Sequence, residues 1–150
     1  MSNIKTHDIL IVSSFEKMSD TLKRALGGER YRFVDVRKSM ATARRELAER
    51  DYDVVIINSP LADGLGVDLA IDVTIKYRMG VIIIASSEIS GDIEEKVTDY
   101  GIIVISKPAP LRVISTDVRL MCAIVDRLKG AEKKVGTLEE KMAEIRIINR

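Results

Sequence analysis

Five short apolar runs set the strongest limit on what this chain can become. They are Ile9-Leu10-Ile11-Val12, Tyr31 to Val36, Val54-Val55-Ile56-Ile57, Val81-Ile82-Ile83-Ile84 and Ile102-Ile103-Val104-Ile105. Four of them are continuous and rich in β-branched residues, the pattern of parallel strands covered on both faces. The second alternates polar with apolar residues and suits an edge strand. Between the runs lie segments with helical spacing. Phe15, Met18, Leu22 and Leu26 share one face ahead of Gly27-Gly28, and Ala43 and Leu47 mark a second helix. Val67, Ala70, Ile71, Val73 and Thr74 mark a third, and Ile93, Val97 and Tyr100 a fourth that stops at Gly101. Strand and helix therefore alternate five times. Right-handed crossovers then put helices on both faces of a five-stranded parallel sheet. The expected fold class is α/β and flavodoxin-like, with an extended C-terminal helix, and its functional crevice lies at the carboxyl ends of the strands.

Composition agrees with a single packed unit. The 150 residues are 46% apolar, with no tryptophan and only 4% aromatic residues, so aliphatic side chains must build the core. Charged residues make up 31%, yet the formal net charge is +1, which gives no global pull toward nucleic acid or an anionic membrane. One cysteine, Cys122, excludes an internal disulfide. The apolar runs are far shorter than the ~20 residues that cross a bilayer, and the polar start has no signal-peptide character. These features lead us to expect a soluble, cytoplasmic protein.

Chemistry in such a fold has to come from the strand ends. The first strand ends in Ser13-Ser14, the third in Asn58, the fourth in Ala85-Ser86 and the fifth in Ser106-Lys107-Pro108. Lys107 lies 22 residues beyond Ala85, and Gly66 lies eight beyond Asn58. With the Lys-Pro pair after the fifth strand, this spacing resembles that of response-regulator receiver domains over residues 8 to 128. In that family two acids at the end of the first strand hold Mg²⁺, an aspartate ending the third accepts phosphoryl, a hydroxyl residue on the fourth senses it, and a lysine pairs with the phosphate. The resemblance puts Ser13 and Ser14 at the acids, Asn58 at the phosphoacceptor, Ala85 at the hydroxyl residue and Lys107 at the lysine. Only the lysine is kept.

That substitution pattern implies a degenerate receiver. Neutral hydroxyls do not replace the carboxylates that Mg²⁺ prefers. The amide of Asn58 is no phosphoryl acceptor, Ala85 has no hydroxyl, and Asp63 is too far along the chain to stand in. Plainer roles remain open. Lys107 can be a satisfied polar residue bonded to Asn58 or a carbonyl, or it can receive an anion in the vacated crevice. Ser13 and Ser14 can simply cap the first helix. His7 is expected on the surface, and Cys122, beside Met121, in packing. No nucleophile elbow, P-loop or G-x-G-x-x-G follows a strand, so no enzyme, cofactor or metal is expected.

After Pro110 the chain reads as helix. Leu111, Ile114, Val118, Met121, Val125 and Leu128 alternate spacings of three and four, a heptad seam. Gly130 and Gly136 weaken the helix, and Thr137-Leu-Glu-Glu140 has the form of a capping box, so two helical segments are expected. Leu138, Met142, Ile145 and Asn149 resume the seam. The stretch Leu138–Arg150 resembles the opening helix of the ANTAR domain, a three-helix RNA-binding module of bacterial antitermination regulators. The implied organisation is a receiver-like domain over 1–128 and, over 129–150, a helical linker beginning an ANTAR region whose other helices would follow Arg150. The function implied is control of antitermination through protein contacts and a parallel homodimer joined at Leu138, Met142 and Ile145. Partners would be a second copy, a sensor or regulatory protein, and RNA only through the further helices. The competing reading is a small-molecule or anion sensor that uses the crevice near Lys107.

Overall fold

A computed structural model describes residues 6–27 and 30–148, with side chains through Ile145. Asn149, placed at the end of the resumed seam, lies outside the described residues. Five parallel strands, β1 (Asp8–Val12), β2 (Phe33–Arg37), β3 (Val54–Asn58), β4 (Gly80–Ser86) and β5 (Ile103–Lys107), form one sheet in the order β2-β1-β3-β4-β5. The helices are α1 (Glu16–Ala25), α2 (Met40–Glu49), α3 (Val67–Asp72), α4 (Ser87–Val97) and α5 (Leu111–Ile148). This is the expected α/β, flavodoxin-like architecture. The alternating β2 is indeed an edge, although its strand starts at Phe33, and Tyr31 sits in the core ahead of it.

Alternate side chains of each strand leave opposite faces, so the continuous aliphatic runs supply two cores at once. Leu10, Val12, Val55, Ile57, Val81 and Ile83 pack under α2, α3 and α4. Ile9, Ile11, Val54, Ile56, Ile82 and Ile84 pack under α1 and α5. Two glycines permit close approaches. A Cβ at Gly80 would stand 2.3 Å from Met121 Cγ, so its absence lets β4 run directly beneath α5. Gly66, at φ +89°, turns the chain into α3, and a Cβ there would meet Ile57 Cγ2 at 2.7 Å.

Two details differ from the sequence-based expectation. After Asp72 the third helix widens into a π-helical turn over Val73–Tyr77, which ends on the left-handed Arg78. More consequentially, α5 is one 38-residue helix, not two segments. Gly130 and Gly136 cost about 1 kcal/mol each against alanine, and neither needs a left-handed backbone; strong helix formers such as Ala131, Glu132, Lys133 and Lys134 carry the helix between them. The capping-box pattern at Thr137 caps nothing: the Thr137 hydroxyl donates to the Lys133 carbonyl at 3.0 Å within the helix. No helix among the described residues is long and apolar enough to cross a membrane.

Candidate functional site

The carboxyl ends of β1, β3, β4 and β5 bring Ser13, Asn58, Ala85 and Lys107 to one crevice. Parallel pairing does this mechanically: Asn58 lies beside Ile84, and Ser86 beside Lys107. Asn58 is 1% exposed, and both ends of its amide are bonded. Its Oδ1 accepts from Lys107 Nζ at 2.7 Å, and its Nδ2 donates to Ser13 Oγ at 3.2 Å. Ser13 Oγ in turn donates to the Phe15 carbonyl at 3.2 Å. Lys107 also donates to the Ser59 carbonyl at 3.2 Å. The donors run in one direction, from ammonium to amide to hydroxyl to backbone carbonyl, and the chain ends there. Ala85 is fully buried and contributes only a methyl to the core.

Ser14 leaves the crevice. Its hydroxyl donates to the Lys38 carbonyl at 2.6 Å and accepts from the Ala62 amide at 2.8 Å, pinning the loop after β2 to the loop after β3. Neither serine caps α1, whose N-cap is Phe15 with no side-chain cap bond; Ser13 bonds the Phe15 carbonyl and Asn58, and Ser14 bonds two neighbouring loops. Asp63 has its own task. Its carboxylate accepts from the Met40 and Ala41 amides at 2.9 and 3.1 Å, at the start of α2, and these bonds hold its pKa below the ordinary carboxylate value.

The crevice therefore carries one ammonium, with no carboxylate partner for it among the described residues. Partial burial lowers the pKa of Lys107, since the charged form is the one that loses hydration. Mg²⁺ does not fit here. The hydroxyls at the two acid positions are committed to protein carbonyls, and no group of three His, Cys, Asp or Glu among the described residues could hold a metal ion. Beside the crevice, Lys107, Ile84, Met18 and Ile114 line a mostly apolar cavity of about 380 Å³.

Two polar clusters outside the crevice had no signal in spacing. Tyr52 Oη lies 2.7 Å from carboxylate oxygens of both Asp35 and Glu46, bracing β2 against α2. Burial first, then these two carboxylates, push the Tyr52 phenol far up, while the tyrosine bond and Arg37 hold Glu46 down. His7, expected on the surface, is half-buried and bonds the Asp126 carboxylate on α5 at 2.9 Å.

No protein-family model and no curated protein sequence matches the chain. Solved structures do match, over most of its length. A signal receiver domain of an HD domain-containing protein from Pseudomonas fluorescens is 21% identical, with a TM-score of 0.74 over 87% of this chain and 97% of that one. A structure described as an adenylate cyclase from Rhodopirellula baltica is 16% identical, with a TM-score of 0.78 over 87% and 97%. A streptococcal structure described as one of a family of redox sensors evolved from two-component response regulators is 21% identical, with a TM-score of 0.73 over 84% and 55%. The fold is that of a response-regulator receiver. At these identities the likeness is one of fold.

Proposed function

We propose that this chain is a receiver-type signalling module of two-component descent that takes no phosphoryl group on aspartate. It acts instead through protein contacts and self-association, and controls a C-terminal antiterminator of the ANTAR type. The observation that carries the reading is the Lys107–Asn58–Ser13 chain. At the positions where the receiver family keeps its acids and acceptor, neutral groups stand: Ser13 and Asn58 bond each other, and Ser14 bonds the neighbouring loops. No reaction is assigned to this site, and no cofactor.

Incubation with acetyl phosphate and Mg²⁺, followed by intact mass, should show no hydrolysable added phosphate. An adduct mapped to Asn58 or to a neighbouring acid would overturn the reading. Mg²⁺ binding should be weaker than about millimolar. Ser13→Asp, Ser14→Asp and Asn58→Asp together should recover some binding, while Asn58→Asp alone should not. In the ANTAR part of the reading, RNA contact belongs to helices that follow the Leu138–Arg150 stretch in that family. The 150-residue chain by itself should then bind RNA only non-specifically.

Self-association enters through the end of α5. Leu138, Met142 and Ile145 are 60%, 54% and 56% exposed and have no sheet beneath them. A parallel homodimer covers them, and sedimentation equilibrium at tens of micromolar should show it dissociating on Met142→Glu with Ile145→Glu.

One observation favours a second reading. Among the described residues, the half-buried ammonium of Lys107 has no carboxylate within ion-pair distance, so an anion entering the crevice would supply the missing charge. A rise in melting temperature with millimolar inorganic phosphate, abolished by Lys107→Met, would support the sensor reading. No shift would leave the protein-contact reading in place.

A further inference from the structure

The sequence places one heptad seam along Leu111–Leu128, but the structure divides it. Ile114, Val118, Met121 and Val125 are buried against the sheet, whereas Leu111 and Leu128 are exposed. At about 100° per residue, the four buried side chains occupy one face of α5. Leu120 and Ile124, both exposed, lie about 100° round the helix from them. Farther along, Val135, Leu138 and Met142 return to within about 60° of that same outward line. One apolar stripe thus begins on the domain body and runs without a change of face into the distal helix. Its angle from the sheet-packed face leaves each domain body to the side of the stripe and not in front of it.

We infer that this whole stripe, from Leu120 to Ile145, is the contact surface for a second copy of the chain, parallel and in register. The inference rests on the homodimer proposed above and extends it onto the domain body. From Leu128 the spacing is a regular heptad: Leu128, Val135 and Met142 alternate with Ala131, Leu138 and Ile145. In the central heptad, Val135 at the first core position and Leu138 at the second form the combination that favours two strands. Charge then selects direction. Arg127 and Lys134 flank the seam on one side, Glu132 and Glu139 on the other. In a parallel pair each flanking residue meets the one five positions on in its mate, so Arg127 faces Glu132 of the second copy and Lys134 faces Glu139. Continuing, Lys141 would face position 146, an arginine in the sequence, so the match belongs to the two nearer pairs. An antiparallel pair would set cations against cations and glutamates against glutamates. Gly130 and Gly136 fall on the outer side, where a Cβ would meet nothing within 4 Å. In the single chain Glu132 bonds Arg78, but both side chains are more than half exposed, and such a surface pair is weak enough to exchange partners.

Cysteine cross-linking of the full chain tests direction and register. In a Cys122→Ala background, Leu128→Cys and Met142→Cys should each cross-link to itself under mild oxidation, while Lys133→Cys on the outer face should not. An antiparallel pair permits at most one of the two, and would overturn the inference. Lys134→Glu should weaken the dimer at least tenfold, and Lys134→Glu with Glu139→Lys should restore it. Failure of the swap to restore would also overturn the register. Leu120→Glu with Ile124→Glu tests the extension. It should raise the dimer dissociation constant at least tenfold without changing the far-ultraviolet spectrum of the dilute chain. A dimer unmoved by that pair, yet dissociated by Met142→Glu with Ile145→Glu, would sink the extension and leave the distal dimer standing. A monomer at tens of micromolar in the unaltered chain would remove both. The phosphodonor result is independent of every one of these outcomes.

Discussion

The two halves of α5 are one unbroken helix that carries aliphatic residues throughout, and only the proximal half has them covered by its own sheet. From Leu111 to about Leu128 the helix covers one face of a parallel sheet, and Ile114, Val118, Met121 and Val125 are each less than 5% exposed. Beyond Leu128 the sheet has ended, and Val135, Leu138, Met142 and Ile145 stand more than half exposed. The difference teaches that heptad spacing reports an apolar face but not what covers it. In the proximal half the cover is the chain's own sheet. In the distal half no other element among the described residues covers it.

Thiol chemistry should separate the halves most sharply. Burial among apolar side chains, with Asp53 and Asp126 nearby, pushes the Cys122 thiol up to about 12. Against an ordinary thiol near 8.5, that leaves about a thousandfold less thiolate at pH 8. In folded protein Cys122 should therefore resist alkylation that labels Val135→Cys promptly in dilute solution. Raising the protein concentration should slow labelling of Val135→Cys and leave Cys122 unchanged. Prompt labelling of Cys122 in folded protein would show that the proximal half is not the closed surface described above.

Truncation should give the next largest contrast. Ile114→Ala or Met121→Ala removes a side chain packed on β4 and should cost about 2–5 kcal/mol in urea unfolding. Met142→Ala, measured where the chain is monomeric, should change stability by no more than about 0.5 kcal/mol. A large loss from Met142→Ala in dilute solution would mean that the distal half packs on its own domain after all.

The smallest effect concerns pH and confines itself to the body. Glu46 is held below its ordinary 4.5 by the Tyr52 hydroxyl and Arg37. A carboxylate whose folded pKa is depressed stabilises the fold above its unfolded value, and that contribution fades as pH falls through the folded one. Stability should thus decline below about pH 4.5, with Asp63 at the start of α2 adding a decline of the same sign. Tyr52→Phe should cost about 1 kcal/mol near neutrality and make the acid decline shallower. The distal helix has no part in this, so Met142→Ala should leave the acid decline as it was. An acid decline of full steepness in Tyr52→Phe would mean that Glu46 is held by other groups.

Much of the crevice was legible because strands are short and parallel. Once four aliphatic runs are recognised as parallel strands, their last residues must meet at one end, which brings Asn58 and Lys107 near each other; that Lys107 bonds both Asn58 and the Ser59 carbonyl came from the tertiary structure. The separate fates of Ser13 and Ser14 did not follow. Both are serines at a strand end, and only the position of the Lys38 carbonyl and the Ala62 amide decides that one hydroxyl joins Asn58 while its neighbour pins two loops. The Tyr52–Asp35–Glu46 brace was equally invisible, because its members come from β2, α2 and the loop after α2, with no common spacing.

What the sequence by itself determined is the order of elements and the placing of Ser13, Asn58, Ala85 and Lys107 at the strand ends, with no carboxylate among them. These depend on local pattern, since hydrophobic periodicity and strand ends are properties of neighbouring residues. Only the tertiary structure decided which face of α5 the sheet takes and which face is left, and that the helix passes through Gly130 and Gly136 without breaking. The physical reason is that both faces carry aliphatic residues at helical spacing, so the choice between them is made by packing. Gly80 admits Met121 and Val125 closely against β4, and that contact turns Leu120 and Ile124 outward.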